Sequence, residues 1–397
     1  MVKGRSGKAE AGYAGYHNLL VPIDEMEGAM YTEEGQDSNG NRVGMATVKV
    51  IGIGGGGCNA VARMYSERVQ GVEYLAVNTD AQHLIGLEIP TKIRIGDKLT
   101  RGLGVGGSAE MGRESAEESR EELYEALRGS DMVFLAAGMG GGTGTGACPV
   151  VAEIVKETGA LTIAVVTKPF GFEGHKRRKS ADDGVQRLRE RVDSLIVIPN
   201  DRLLDLCEAE VTAETAFKLA DDVLRQGVQA IAELVTISGS INLDFADIKT
   251  IMSGAGPAWM AIGSARGDGR AVEAAKAAIA SPLLDVSIEG AKGVLFNVTG
   301  GSDLTLHEVH AAAAVIEGVV DPSANIIFGM TNDMKLDDEV RITIIATGFP
   351  AVDAFIPDED SLFSQLEMAH LDGSEDLDVP PFLRRNPTLR RRSRVTL

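Results

Sequence analysis

Two glycine-rich segments have the composition of phosphate-binding loops. The first, at 49–61, is KVIGIGGGGCNAV, and the second, at 138–149, is GMGGGTGTGACP. Glycines let backbone N–H groups approach phosphate oxygens closely, and a helix that begins in such a loop adds partial positive charge. The second segment also offers the hydroxyls of Thr143 and Thr145. Both patterns favour the binding of a phosphorylated ligand.

The first loop alone leaves the identity of the ligand open. Gly52, Gly54 and Gly57 satisfy the G-x-G-x-x-G fingerprint of dinucleotide-binding proteins, and Asp80 ends the next predicted strand, where a ribose-binding acid stands in NAD enzymes. An NAD-dependent oxidoreductase is therefore one alternative, and a plain tight turn is another.

The second loop favours a mononucleotide. A dinucleotide site uses one glycine loop, whereas two loops at neighbouring parallel strands can surround a di- or triphosphate from two sides. The Walker pattern G-x-x-x-x-G-K-[ST] is absent from the sequence, and so is the N-K-x-D base-recognition motif of Ras-like GTPases.

Alternating strands and helices must position these loops. Short runs that are apolar on both faces predict strands, and helical patterns follow several of them. The strands are expected at 47–53, 74–80, 131–138, 161–169 and 193–200, and the helices at 58–69, 108–129 and 149–159 with Pro149 in its first turn. This alternation predicts a parallel sheet covered on both sides.

A helical pattern of about 25 residues at 212–237 is typical of a spine between two domains. The segments beyond it predict a smaller α+β domain that ends near Phe349. The expected organisation is a disordered N-terminal extension at 1–46, a nucleotide-binding α/β domain with the long central helix at 47–235, an α+β domain at 236–350, an acidic linker at 351–376 and a basic C-terminal segment at 377–397.

Composition narrows the class of protein. The 397 residues carry a net charge of −19, which argues against nucleic-acid binding, and 44% of them are hydrophobic. Cys58, Cys148 and Cys207 lie far apart and form no metal-binding or disulfide pattern. No apolar run of 18 residues occurs, and the N-terminus lacks the apolar core of a signal peptide. We therefore expect a cytoplasmic protein.

Together with the two loops, seven further segments resemble the tubulin/FtsZ family. They are AVNTDAQ, LTRGLGVGGSAEMG, TKPFGFEGHKRR, LIVIPNDRLL, LRQGVQAI, INLDFADIKTIMS and IATGF, in the family's order from about Val48 to Phe349. The resemblance, to bacterial cell-division FtsZ in particular, implies a tubulin/FtsZ-like fold and a GTPase that polymerises head to tail. Such filaments form the cytokinetic ring at mid-cell, and GTP is hydrolysed where subunits meet.

The resemblance also assigns residues to the nucleotide. The α/β-phosphate side is implied to be Gly55, Gly56, Gly57, Cys58 and Asn59; the β/γ-phosphate side is Gly140, Gly141, Gly142, Thr143, Gly144, Thr145 and Gly146; the loop near the ribose and γ-phosphate contributes Gly106 and Gly107. A catalytic thiol at Cys58 is not expected, because the family often carries Ser, Asn or Cys there.

The resemblance also implies which residues contact the ribose and the base of the nucleotide. Glu173 and Arg177 match a ribose-contacting pair, although their spacing also suits a surface ion pair. Asn200, Phe217 and Asp221 are implied to recognise guanine. A ring can stack on a purine, and a carboxylate accepts hydrogens from guanine N1 and the exocyclic amine, a donor pair that adenine lacks. Without the resemblance to the family, the spacing of Phe217 and Asp221 would indicate only one face of a helix, with Phe217 in the core and Asp221 at its solvated edge.

The hydrolytic group is assigned to Asn242, Asp244 and Asp247, in a segment that the family inserts against the γ-phosphate of the next subunit. The aspartates would polarise the attacking water, and Mg²⁺, bound mainly through the phosphates, would neutralise charge. A turn followed by an N-cap is the alternative for Asn242 and Asp244.

The C-terminal segment DLDVPPFLRR resembles the family's peptide for membrane tethers and regulators, with Asp378, Pro380, Phe382, Leu383 and Arg384 at matching positions. Six arginines and no acid follow from 384 to 397, so membrane contact is expected to be indirect or through this basic tail. A non-polymerising regulatory relative of the same superfamily is the other alternative.

Overall fold

The computed structural model of the chain describes residues 46–67, 71–204, 212–236, 244–281, 288, 290–333, 336 and 338–349. They belong to a single unit that ends at Phe349. The predictions for the N-terminal extension, Asn242, Cys207, the acidic linker and the C-terminal peptide lie outside the described residues.

Ten strands form one sheet in the described part of the chain. They are β1 (Val48–Ile53), β2 (Val72–Asn78), β3 (Thr91–Arg94), β4 (Met132–Gly138), β5 (Leu161–Lys168), β6 (Ser194–Pro199), β7 (Gly256–Arg266), β8 (Gly293–Gly300), β9 (Asn325–Asn332) and β10 (Glu339–Thr347). The strand order is β3-β2-β1-β4-β5-β6-β7-β10-β8-β9. All neighbours pair in parallel except β10, which is antiparallel to β7 and β8.

Helices alternate with the strands, and they include four that the sequence analysis did not predict, at 81–85, 97–100, 175–189 and 200–204. The helices are α1 (Gly54–Ser66), α2 (Ala81–Ile85), α3 (Asp97–Thr100), α4 (Ala109–Glu118), α5 (Arg120–Leu127), α6 (Thr143–Thr158), α7 (His175–Arg189), α8 (Asn200–Leu204), α9 (Ala213–Thr236), α10 (Phe245–Met252), α11 (Arg270–Ile279) and α12 (Leu306–Glu317), with a 3-10 turn at Gly171–Glu173. None of the helices described is long and apolar enough to span a membrane.

The sheet is covered on both faces because its strands are apolar on both. Val50 of β1 packs in the core beneath α1, α9 and α10, whereas its neighbour Ile51 packs on the opposite side with α4 to α7. Adjacent strand residues point to opposite faces, so two cores form on one sheet. A third core joins α11 and α12 to β7, β8 and β10. The predicted α/β class is confirmed.

Three helix predictions were wrong in detail. The helix expected over 58–69 begins at Gly54, because the first glycine loop enters it. The helix expected over 108–129 is broken into α4 and α5 at Ser119, whose hydroxyl accepts a hydrogen bond from Gly96 N–H at 3.2 Å. The helix expected to begin at Pro149 begins at Thr143 instead, because the glycine loop itself enters the helix: Gly146 N–H donates to Gly142 O at 3.0 Å. Helix α9, by contrast, matches the predicted spine.

The two halves of the sheet meet at a narrow junction. Strands β6 and β7 pair over three residues only, Ser194 to Ile196 against Gly256 to Ala258. A domain boundary in this region agrees with the short pairing of β6 with β7. The division into domains at residue 235 stays a prediction.

The strand order reverses at β1. The chain passes from β1 to β2 and β3 on one side, and then returns to β4 on the other side of β1. In open parallel sheets, ligands bind beyond the carboxyl ends of the strands at such a switch point. Both glycine loops stand there, one after β1 and one after β4.

Candidate functional site

The two glycine loops face each other across the switch point. Ile53, the last residue of β1, pairs with Ala137 of β4, so α1 and α6 begin side by side. The first backbone N–H groups of a helix have no partner within it and bind anions well. The site therefore offers two sets of N–H donors at one edge of the sheet.

The predicted phosphate-contacting glycines fall into two groups. The first group faces open space: a methyl group placed on any of these residues would meet no atom within 4 Å, and its members are Gly55, Gly106, Gly107 and Gly141. Gly56 is nearly as open, with its nearest neighbour at 3.7 Å. These five residues are the predicted contacts that leave room for a ligand beside the backbone.

The second group is glycine for reasons of packing. A methyl group on Gly57 would lie 2.0 Å from Ala136 O, one on Gly144 2.6 Å from Gly138 O, and one on Gly146 1.9 Å from Ala109 O. Gly140 and Gly142 are similarly tight, against Arg177 O at 2.9 Å and Gly106 O at 2.4 Å. The absent side chains let α1, α4, α6 and α7 approach closely enough to form the site.

The two threonines differ in their surroundings. Thr145 is fully buried, and its hydroxyl accepts a hydrogen bond from Gly140 N–H at 2.8 Å, so it shapes the loop from inside. Thr143, at the start of α6, exchanges a hydrogen bond with the hydroxyl of Thr79 at 2.7 Å. Thr79 follows β2, so this contact connects the loop after β2 with the glycine loop after β4.

Cys58 has no exposed thiol. Its Sγ is buried and contacts Gly52 O at 3.3 Å and Val77 O at 3.5 Å. Burial raises the pKa of this thiol to about 12. A neutral, buried thiol is a poor nucleophile, in agreement with the expectation that Cys58 performs no chemistry.

Glu173 and Arg177 form the predicted pair beside the second loop. Arg177 donates to Glu173 Oε2, and Glu173 Oε1 accepts from Phe170 N–H at 2.9 Å. The Glu173 side chain is largely covered, whereas that of Arg177 is exposed. Arg177 O would lie 2.9 Å from a methyl group on Gly140, so the start of α7 packs against the second glycine loop.

An aromatic cluster stands at the start of α9. Phe217, 43% exposed, packs edge to face against Phe170 and Phe172 with ring centroids 5.4 and 6.2 Å apart. Phe170 and Phe172 stack on each other at 5.0 Å. Phe172 is 62% exposed, which is unusual for so large an apolar side chain unless a ligand or partner covers it.

Asp221 lies one helical turn beyond Phe217. Its side chain is only 18% exposed, and its Oδ2 lies 3.7 Å from Arg63 Nη2 of α1. Burial raises the pKa of Asp221 to about 6, and the nearby positive charge of Arg63 opposes that rise.

Asn200, the first residue of α8, is 5% exposed, and its Oδ1 has no hydrogen-bond partner among the described residues. A buried acceptor without a donor suits a site that a donor-bearing ligand completes.

Asp80 does not serve the dinucleotide alternative. Its carboxylate caps α2, because Oδ1 accepts from Gln82 N–H at 2.9 Å and from His83 N–H at 3.1 Å. An acid that already satisfies a helix end is not directed at a ribose.

The predicted hydrolytic residues lie apart from this site. Asp244 is the N-cap of α10 and accepts from Ala246 N–H at 3.2 Å, as the alternative interpretation held. Asp247 stands in the first turn of α10, is exposed, and its carboxylate makes no hydrogen bond or ion pair within the described part of the chain. Across the same described residues, no group of three or more His, Cys, Asp or Glu side chains could hold a metal ion.

Sequence reasoning missed four residues beside the site. Phe170 and Phe172 extend the aromatic surface of Phe217, and Thr79 contacts Thr143. His83 contacts Asn59, with 2.9 Å between Nε2 and Oδ1. The segments TKPFGFEG and NTDAQH carried the signal: two phenylalanines in a glycine-rich loop, and polar residues after the carboxyl end of a strand.

Comparison with known proteins agrees with this geometry. Residues 47–208 match the GTPase domain of the Tubulin/FtsZ family, and residues 256–350 match the C-terminal domain of the FtsZ family. The structure of an empty FtsZ dimer from M. jannaschii is 48% identical, with a TM-score of 0.75, and the match covers 76% of this chain and 88% of that one. GDP-bound CetZ1 from Haloferax volcanii, 23% identical with a TM-score of 0.69, shares the fold over 80% of this chain and 99% of its own.

The fold, the two glycine loops and the matches to known proteins together define a GTPase of the tubulin type. Within that class, the chain belongs to the FtsZ family. A guanine nucleotide is thus a ligand of this chain, and its contacts with the glycine loops remain predictions.

Two glycines of α1 provide a matched test of the division between open and packed positions. Gly57→Ala is expected to lower the free energy of unfolding of the nucleotide-free protein by about 1–3 kcal/mol, because the methyl group would overlap Ala136 O. Gly55→Ala is expected to leave this stability unchanged but to weaken GDP binding, because its methyl group enters the open space. Urea unfolding and GDP titration measure the two effects. Equal stability of the two variants would contradict the assignment.

Proposed function

We propose that this chain assembles head to tail into filaments and that the GTP held by one subunit is hydrolysed by aspartates of the next. The observation that carries the proposal is the placement of Asp247 relative to the glycine loops. The loops lie at the carboxyl ends of the strands, and the helix of Asp247 lies at the amino ends.

Helix α9 supports this placement. It begins beside the nucleotide site, where Phe217 contacts Phe170. It ends near Gly71, just before β2: the Thr236 Cβ would lie 2.8 Å from a methyl group on Gly71. Its 24 residues extend about 36 Å, so α9 reaches from the carboxyl edge of the sheet to the amino edge.

Helix α10 ends at the amino edge as well. Ser194, the first residue of β6, donates its hydroxyl hydrogen bond to Met252 O at 2.6 Å. A methyl group on Gly293, the first residue of β8, would lie 3.1 Å from the Ile251 side chain. The six residues of β1 alone separate the two edges by about 20 Å. The end of α10 thus lies at the edge opposite the glycine loops, which supports the action of Asp247 on a nucleotide that a different copy of the chain holds.

The chemistry of this proposal needs few groups. GTP hydrolysis requires a water in line with the γ-phosphate and stabilisation of the charge on the phosphate oxygens. An ionised Asp247 can orient that water and accept its proton, and Asp244 adds a second negative charge nearby. The N–H groups of the open glycines stabilise the phosphates. Mg²⁺ would be held mainly by phosphate oxygens, because the loops offer donors rather than carboxylates.

The cellular role belongs to the same proposal. The 48% identity to FtsZ, and the assembly named for two solved relatives, a dimer of FtsZ and a GTPγS-bound protofilament of CetZ2, support self-association. We propose a cytoplasmic division-ring filament that binds membrane tethers and regulators through Asp378 to Arg384, with the arginine-rich end near anionic lipid.

Dilution of the purified chain tests the shared site. GTPase activity per subunit should fall steeply below a threshold concentration, because a lone subunit lacks the groups that its neighbour contributes. Light scattering should rise on addition of GTP above the same threshold. GDP titration at each dilution provides the control that the pocket stays occupied. Specific activity that remains constant through extreme dilution would show a complete site within one subunit and would exclude the proposal.

A further inference from the structure

A row of three polar side chains connects the end of β2 with the exposed face of α1. Asn78 Nδ2 lies 3.2 Å from His83 Nδ1, and His83 Nε2 lies 2.9 Å from Asn59 Oδ1. His83 itself is held by its backbone, since Asp80 Oδ1 accepts from His83 N–H at 3.1 Å. The row thus begins in the core and ends at the nucleotide site.

The contacts fix which nitrogen of His83 carries the proton. Asn78 Oδ1 accepts from Thr79 N–H at 2.8 Å, so the amide of Asn78 must present its Nδ2 donor to His83. His83 Nδ1 is then the acceptor, and a neutral imidazole with an acceptor at Nδ1 carries its hydrogen on Nε2. His83 Nε2–H therefore donates to Asn59 Oδ1.

The same contact sets the orientation of Asn59. With Oδ1 directed to His83, the Nδ2 donors of Asn59 are on the other branch of the amide, and within the described part of the chain they have no partner. Asn59 lies three and four residues after Gly56 and Gly55, and all three are exposed. Residues at this spacing share one face of a helix, so Asn59 stands beside the open space of the glycine loop.

We propose that His83 is a positioning residue for guanine nucleotide binding: it holds the amide of Asn59 so that Nδ2 donates to an acceptor atom of the bound nucleotide. Without His83, the amide can rotate or exchange its oxygen and nitrogen, and the donor is no longer presented in advance. The inference rests on the assignment of the nucleotide to the space in front of Gly55.

Three variants of the full-length chain test this role. The measurement is the Kd for GDP, which is taken without GTP so that GTP-driven assembly does not contribute. His83→Leu removes both hydrogen bonds and should weaken GDP binding about fivefold, the effect of one lost hydrogen bond. His83→Gln retains a donor and an acceptor and should bind within about twofold of the parent protein. Asn59→Ala should weaken binding at least as much as His83→Leu.

The double variant separates positioning from general damage. If His83 acts through Asn59, His83→Leu in the Asn59→Ala background should cause no further loss, whereas independent effects would multiply. Three outcomes would each overturn the proposal. The effects of the two substitutions could multiply, His83→Leu could bind GDP as tightly as the parent, or His83→Gln could fail to restore binding. Thermal unfolding of each nucleotide-free variant controls for folding.

Two further measurements complete the test. Nitrogen-15 NMR of histidine-labelled full-length protein should show His83 with its proton on Nε2, and a proton on Nδ1 would contradict the row. Unchanged GDP affinity of Asn59→Ala would also overturn the role of His83. In that case Gly55→Ala decides whether the nucleotide site itself is misplaced. If Asn59→Ala and Gly55→Ala both bind GDP normally, the assignment of the nucleotide site is refuted. If only Gly55→Ala loses GDP affinity, only the role of His83 is refuted.

Discussion

Replacement of Asp247 by alanine is expected to lower GTP turnover at least about a hundredfold while GTP binding is retained. A positioned acid or base contributes roughly 10²–10⁴-fold to rate, and Asp247 is the exposed carboxylate that makes no contact within the described residues of α10 and its surroundings. The nucleotide loops are at the other edge of the sheet, so affinity should not change. Filaments should form and persist, because hydrolysis no longer weakens the subunit contacts. Phosphate release, GTP titration and sedimentation measure these three quantities.

Two neighbours of Asp247 serve as controls. Lys249→Ala changes another exposed residue of the same helix and should leave turnover near the parent value. Asp244→Asn keeps an oxygen that can accept from Ala246 N–H, so it preserves the helix cap while it removes the negative charge. A loss of activity in Asp244→Asn would therefore report the charge rather than the fold. Normal turnover by Asp247→Ala would exclude the proposed role.

Much of the fold could be predicted because local patterns agree with it. Apolar runs that lead into glycine mark β1 and β4, and the helical period of 212–237 marks α9. The sequence also placed the two glycine loops on neighbouring strands. Strand β10, antiparallel in an otherwise parallel sheet, could not be assigned a partner, because pairing between distant segments leaves no local pattern.

The site was harder to predict than the fold, because identical residue types serve different purposes there. Gly55 and Gly57 are two residues apart in one loop, yet Gly55 faces open space and Gly57 packs against Ala136 O. Only the position of β4 distinguishes them. Thr145 has the same side chain as Thr143, but its hydroxyl accepts from Gly140 within the same loop, whereas the hydroxyl of Thr143 bonds to Thr79 after β2. Such differences arise from tertiary packing, so sequence motifs alone over-assign ligand contacts.

The break between α4 and α5 and the row formed by Asn78, His83 and Asn59 could not be predicted for the same reason. Ser119 interrupts a strong helical pattern because it contacts Gly96, which is far away along the chain. His83 follows the strand β2 by only five residues, but its contact with Asn59 spans two elements. Phe170 and Phe172 belong to a loop without periodicity, so the segment TKPFGFEG indicated their presence near a glycine-rich loop but not their contact with Phe217.

Asp221→Asn is expected to exchange guanine preference for xanthine preference. The ionised carboxylate offers two acceptors, which suit the N1–H and the exocyclic amine of guanine. A carboxamide offers one acceptor and one donor, which suit the N1–H and the O2 of xanthine. Loss of a hydrogen bond to a charged group corresponds to about 1.5–3 kcal/mol, so GTP affinity should fall about 10- to 100-fold and XTP affinity should rise. Competition between the two nucleotides measures the change.

The pKa of Asp221 provides an internal control. Burial raises this pKa to about 6, so the ionised carboxylate lowers the free energy of unfolding of the nucleotide-free protein. This cost grows as the pH rises from the carboxyl's unfolded pKa of about 4 and is complete above about 6. Asp221→Asn removes this cost and should unfold no more easily than the parent at neutral pH. The parent should also lose GDP affinity as the pH falls below about 6, because the protonated carboxyl has one acceptor fewer, and the variant should not show this carboxyl-dependent loss. Unchanged GTP preference in a folded variant would refute the role of Asp221.

The two variants together test whether the active site is shared. Asp247→Ala should bind GTP without hydrolysing it, and Asp221→Asn should carry Asp247 but bind GTP poorly. With GTP labelled on the γ-phosphate and unlabelled XTP, both variants are loaded, and neither alone should release labelled phosphate at the parent rate. In a mixture, the Asp247 of an Asp221→Asn subunit meets GTP held by an Asp247→Ala subunit, so labelled phosphate should be released. If both variants sediment together in the mixture and no labelled phosphate appears, Asp247 does not act across the subunit contact, and hydrolysis must depend on groups that each subunit holds for its own nucleotide.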